Sequence, residues 1–147
     1  MIWVKVTMMG CKHMYVGCWC YRAKADDMAA VNALWDCLQR VCGRSNSPVL
    51  MAGDCNFPGY EWTKTVTKNC AYPHLHNNFI DIISDNGLTQ IVDIPTRQGS
   101  VPDLIITNRP SQINRTDTVS GIACCLYCRA RYPANQEILD IPSGSTL

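Results

Sequence analysis

The chain has 147 residues, 47% of them hydrophobic, and its 13 Lys and Arg nearly balance 12 Asp and Glu for a formal charge of +1. That suits one globular domain with its own core and excludes binding driven by bulk charge. Nine Gly, eight Pro and 17% charged residues exclude collagen-like, coiled-coil and charge-rich disordered chains, and the apolar stretches Pro48 to Ala52 and Phe79 to Ile83 are too short for a membrane span.

The run Ile2-Trp3-Val4-Lys5-Val6 is apolar and β-branched and predicts a strand. It follows Met1 directly, without the basic and apolar regions of a secretory leader, so an intracellular chain is expected. Met9 to Lys12 offers a turn, and Met14 to Tyr21 resumes the strand pattern. A helix follows. Asp26 or Asp27 caps it, Met28, Val31, Leu34, Trp35, Leu38, Val41 and Cys42 recur at helical spacing, and Gly43 stops it.

Pro48-Val49-Leu50-Met51-Ala52 reads as a short strand buried on both faces and ending at Gly53. From Asp54 to Asn78 the chain is irregular and polar, the composition of a long loop that is either functional or disordered. A second helix is predicted from about Asn77 to Asn86, with Phe79, Ile82 and Ile83 inward and Gly87 as its stop. Leu88 to Val92 and Asp103 to Thr107 are further predicted strands, separated by turns from Pro95 to Pro102. Beyond Tyr132 the composition turns to Pro, Ser, Gly and Thr, so residues 129–147 are expected to form a loose tail behind a domain of residues 1–128. No internal repeat is visible. Strands mixed with two helices give an α/β or α+β fold.

Ten cysteines are irregularly placed, with one Cys-x-x-Cys (Cys125 and Cys128), one Cys-x-Cys (Cys18 and Cys20) and one His-x-His (His74 and His76). A structural zinc needs four converging ligands, usually two such pairs at compatible spacing. Nothing in these spacings forces convergence, and buried reduced thiols are the simpler reading. A small zinc-binding interaction module is kept as an alternative.

Chemistry is concentrated in Gly53-Asp54-Cys55-Asn56-Phe57-Pro58-Gly59, at the carboxyl end of the buried strand, where open α/β sheets place ligands. Asp54 and Asn56 are two apart, so in extended chain they point the same way. A carboxylate and an amide on one face suit orienting a water and gripping a phosphoryl oxygen. The competing reading is an Asx turn in which both satisfy local backbone donors. Asp103, beside a mostly buried strand, is costly unless paired there; the alternative is a surface Asp in a turn. Tyr21-Arg22 at a strand end offers a phenol and a guanidinium to a phosphate. His13 lies in a strand, while His74 and His76 read as solvent-facing loop residues.

Several of these blocks occur in the order of a known family. Ile2 to Val6, Gly17 to Arg22, Val49 to Trp62 (VLMAGDCNFPGYEW), Phe79 to Arg97 (FIDIISDNGLTQIVDIPTR) and Asp103 to Pro110 (DLIITNRP) carry the likeness. Together they resemble the endonuclease/exonuclease/phosphatase family, most closely the endonuclease domain that accompanies a reverse transcriptase in non-LTR retrotransposons. Cys55 stands where the family signature has Phe, and Pro102 where it has Leu.

The resemblance implies a four-layer α/β sandwich, two packed sheets flanked by helices, carrying Mg²⁺-dependent hydrolysis of DNA phosphodiester bonds. Asp54 would orient or deprotonate the attacking water, Asn56 would hold the scissile phosphate, Tyr21 and Arg22 would lie against it, and Asp103 would orient a catalytic histidine. DNA and a reverse transcriptase domain are the implied partners, and the nucleus is the implied location. Two departures bear on activity. The family closes with Gly-Ile-Ser-Asp-His, whereas this chain reads Gly121-Ile122-Ala123-Cys124-Cys125. It also opens downstream of the family's first strands and metal-binding Glu. A fragment with lost or strongly impaired cleavage, binding nucleic acid weakly at most, is therefore expected.

Overall fold

The computed structural model describes residues 1–7, 13–19, 26–43, 46–57, 60–62, 66–67, 71–96, 100–118, 126–131 and 138–143. β1 (Ile2–Val6) and β2 (Met14–Trp19) pair antiparallel, α1 (Met28–Cys42) crosses over, and β3 (Val49–Asp54) returns parallel to β2. Two-residue strands β4 (Tyr60–Glu61) and β5 (Val66–Thr67) pair with each other, and α2 (Pro73–Asp85) follows. β6 (Thr89–Gln90) and β7 (Asp103–Thr107) complete a five-stranded mixed sheet of order β1-β2-β3-β7-β6. A 3₁₀ turn (Pro110–Gln112) leads into β8 (Ile113–Thr118), which forms an antiparallel sheet with β9 (Leu126–Arg131) and β10 (Ile138–Ser143). These last two strands occupy part of the stretch whose composition reads as a loose tail. The fold is mixed α+β, as its alternating pattern implies.

α1 begins where predicted, with the Asp27 carboxylate accepting the Ala30 N–H at 2.9 Å. α2 begins four residues earlier than predicted. Pro73 takes the first helical turn, where its missing N–H costs nothing, so the helix takes in His74, Leu75 and His76. Its end is a Schellman arrangement. Gly87 sits at φ 64°, its N–H bonds the Ser84 carbonyl at 2.9 Å, and the Leu88 N–H bonds that of Ile83 at 3.0 Å.

Alternation along β3 divides the core. Val49 and Met51 join Leu104 and Ile106 of β7 and Trp19 of β2 against Val31, Leu34 and Leu38 of α1 and Leu75, Phe79, Ile82 and Ile83 of α2. Both helices therefore cover one face. On the other, Leu50 and Ile105 pack with Val92, Ile91, Ile94, Val101 and Ile113. β3 is thus buried on both faces, whereas the edge strand β1 leaves Ile2 62% and Val4 54% exposed.

The residues after β7 pin the start of β3. The Asn108 side chain accepts the Val49 N–H at 2.8 Å and donates to the Ser47 carbonyl at 3.0 Å, while the Thr107 hydroxyl donates to the Val49 carbonyl at 2.7 Å. Arg109 Nη2 reaches the Asn46 carbonyl at 3.1 Å and its Oδ1 at 2.6 Å. Together these bonds fix the β3–β7 register at the end away from the site. Among the described residues, no helix is long and apolar enough to cross a membrane.

Candidate functional site

β3 runs on through Gly53 to Asp54 because Gly53 takes φ 151°, a conformation open to glycine. A side chain there would also run into the Trp19 carbonyl of the neighbouring β2. Continuing the antiparallel register from Leu50 opposite Thr107 brings Asp54 directly opposite Asp103. Two carboxyl groups from strands distant in sequence thus stand side by side at the carboxyl end of β3, on the face away from the helices.

Asp103 is 3% exposed, so the surface-turn alternative is excluded. The peptide joining it to Pro102 is held at both its polar groups. The Asp103 N–H donates to Thr96 Oγ1 at 3.3 Å, and the preceding Pro102 carbonyl accepts the Cys55 N–H at 2.9 Å. Thr96 is held by its own N–H to the Ser100 carbonyl at 2.9 Å, so this pair serves as a clasp beside the site.

Asn56 departs from the extended geometry that the two-residue spacing assumes. It adopts φ 46°, and its N–H donates to Asp54 Oδ1 at 3.0 Å. The Asx turn weighed from sequence is therefore present, and the left-handed conformation, which Asn tolerates better than most residues, turns the chain sharply after the strand. Asp54 and Asn56 are joined by this turn rather than aligned by a pleat. Cys55 is buried, with Sγ 3.6 Å from the Gly53 carbonyl. It fills the inward position between them.

Beyond the turn an aromatic group anchors the segment. Phe57 stacks on Phe79 of α2 with centroids 4.1 Å apart and meets His76 edge-on at 5.0 Å. His76 is 3% exposed, which corrects its sequence reading as a solvent-facing loop residue. Leu75, Phe79, Ile82 and Ile83 form an i, i+4, i+7, i+8 stripe that carries the signal for the longer helix. Tyr60 and Trp62 join the group, their centroids 4.5 Å apart. Phe57, Tyr60 and Trp62 lie within the Val49 to Trp62 block, but their spacing carries no pattern that marks them as one cluster.

Tyr21 and Arg22 lie outside the described residues, as does the 121–125 segment. β2 ends at Trp19, in register with Gly53, so the strand that leads to Tyr21 ends beside the one that ends at Asp54. Oxygen donors such as Asp54, Asp103 and Asn56 belong to hard-cation chemistry. Among the described residues, however, no group of three His, Cys, Asp or Glu side chains could hold a metal ion. These residues alone therefore do not make a Mg²⁺ site, nor do the described thiols and imidazoles make a zinc site. What they supply is an acid pair and an amide at a strand end.

A family model described as endonuclease-reverse transcriptase matches residues 15–125, which spans β2 to the segment before β9. No curated protein matches the chain. No solved structure matches it either.

Proposed function

Because the chain belongs to the endonuclease-reverse transcriptase family, we propose that it carries that family's phosphodiesterase site, acting on DNA, in a strongly impaired form. The observation that carries the reading is the placement of Asp54 opposite Asp103, with Asn56 held to Asp54 at the end of β3. A carboxylate beside an amide is the pair needed to orient a water and bind the phosphoryl oxygen it attacks.

In this reading Asp54 accepts a proton from the water that attacks phosphorus, the P–O bond to one strand end breaks and its leaving oxygen takes a proton from solvent, while the Asn56 amide donates to a non-bridging oxygen of the phosphate. Tyr21 and Arg22, a few residues past β2, supply a phenol and a guanidinium to the same phosphate. The family's Mg²⁺, if held here by Asp54 together with residues beyond those described, would supply neutralisation of phosphate charge. Asp103 is the acid that would orient a histidine, but the sequence at 123–125 is Ala-Cys-Cys where the family reads Ser-Asp-His. Losing a charged donor of that kind commonly costs about a hundredfold or more in rate.

Nicking of supercoiled plasmid tests the reading. Faint nicking that needs Mg²⁺ and disappears with EDTA or in Asp54→Ala is expected from the wild type. The double variant Cys124→Asp with Cys125→His is expected to raise it on the order of a hundredfold. A folded double variant that does not nick would overturn the reading. Plasmid binding that weakens steeply with salt would then leave a relic whose contacts are to phosphate.

A further inference from the structure

The five-stranded sheet ends in two unlike edges. β6 contributes only Thr89 and Gln90, too short to template another strand. β1 is five residues long, carries no proline, and pairs in unbroken register with β2 alone among the described residues. Its other side is open to a further strand. Exposed apolar surface gathers at the same place. Met1, Ile2 and Val4, at 42%, 62% and 54% exposure, are the exposed large hydrophobic side chains among the described residues. Trp3 packs over Gly17 into the helix-covered core, so the alternating Ile2, Val4 and Val6 lie on the opposite face. An apolar edge without a guarding bulge or proline is a template for strand addition.

The order of side chains says what adds to it. Antiparallel pairing with a second β1, centred on Val4, sets Ile2 against Val6, Trp3 against Lys5, and Val4 against its own copy. All five residues are then matched, with apolar side chains opposed along the whole Ile2, Val4 and Val6 row. Each Lys5 lies two positions, ~7 Å, along from the other. Centring the pair on Trp3 or on Lys5 would match only three residues of each strand. At Lys5 it would also set two ammoniums directly opposite each other, which is destabilising. Length and charge therefore select one register, and that register is self-complementary.

We infer that Ile2–Val6 is the contact of a symmetric dimer, in which β1 of one copy pairs antiparallel with β1 of a second. The two-fold axis runs through the Val4 pair, perpendicular to the joined sheet. Both copies then turn their helices to one side and their Asp54 and Asp103 to the other. The inference does not depend on cleavage. Five-residue strands make a small interface, so a dimer that dissociates on dilution is expected.

The test is sedimentation equilibrium of the whole chain over a dilution series, with reductant to keep its ten cysteines from linking copies. The wild type is expected to pass from monomer to dimer as concentration rises. Val4→Lys puts like charges on the axis and should raise the dissociation constant about tenfold or more. Val4 is 54% exposed in the single chain, so the dilute variant should keep the wild-type circular dichroism and thermal midpoint. Register is read by thiol trapping. Val4→Cys places its new thiol opposite its copy, within disulfide reach, whereas the two thiols of Ile2→Cys stand ~14 Å apart. After mild oxidation, peptide mapping should find the Val4→Cys link about tenfold more abundant than the Ile2→Cys link. A wild type that stays monomeric at every concentration would overturn the inference, whatever else binds the edge. So would a Val4→Lys dimer as tight as the wild type, or equal trapping at the two positions. If Val4→Lys does not fold, the trapping pair, which keeps the charge unchanged, decides.

Discussion

At position 53 the backbone takes φ 151°, and an added Cβ would collide with the Trp19 carbonyl. At position 87 the backbone takes φ 64°, but nothing lies within 4 Å of an added Cβ. The two glycines therefore separate steric exclusion from conformational strain alone. Gly87→Ala is expected to cost about 1–2 kcal/mol, the left-handed penalty of an ordinary residue. Gly53→Ala should cost about 3 kcal/mol or more, because β2 must also move away from β3. Urea midpoints for the two variants check the order, and a Gly53→Ala protein as stable as Gly87→Ala would contradict it. A second residue-scale effect concerns pH. Burial pushes the half-buried Cys42 thiol above its ordinary value. A raised thiol pKa means the folded state keeps a proton the unfolded chain has given up. Stability from this source is full below the unfolded pKa and is lost as pH rises through the folded one. Cys42→Ala should therefore flatten the fall in stability above about pH 9, as followed by thermal midpoint against pH.

Among the elements, the β3–β7 pair matters most, since it alone brings Asp54 to Asp103. Asn108 is its far-end clip, bonding both Val49 and Ser47. Asn108→Ala strands a half-buried N–H and a carbonyl, and is expected to cost about 1–3 kcal/mol in urea unfolding. Because a one-residue slip would turn Asp54 to the helix face, it should also lower any nicking activity by more than its stability loss explains. Sequence patterns made much of this legible. α1 is readable from an acidic pair before a periodic apolar stripe, the structure choosing Asp27 over Asp26 as its cap, and β7 from an unbroken apolar run. The first turn of α2 was not, because Pro73, His74 and His76 look like loop composition until Leu75 is counted with Phe79 and Ile83. Nor did the sequence reveal that Asp103 is buried opposite Asp54, since strand pairing between distant segments leaves no local pattern. The Asx turn at Asn56 was visible as an alternative. That it coexists with the acid pair, rather than replacing it, is a tertiary fact.

For the molecule as a whole, Phe79 is the residue where separate parts meet. It contacts Trp19 of β2, Phe57 beyond the site turn and Trp62 beyond β4. Phe79→Ala should cost about 3–5 kcal/mol, a large share of the stability of a small domain. It should also loosen the segment that carries Asn56, so oligonucleotide binding is expected to weaken even at temperatures where circular dichroism shows the variant folded. Phe79→Leu, which keeps most of the volume, should lose far less of both.

The clip between Thr107 and Val49 joins residues 58 positions apart in the chain. On a ribosome adding about 5–20 residues per second, β3 emerges roughly 3–12 seconds before the strand that completes it. Through that interval an apolar segment, Val49 to Ala52, has one edge without its β7 neighbour, and the acid pair does not yet exist. The site thus cannot form until β7 has emerged, and nascent chains stalled before Asn108 should be the ones that chaperones hold.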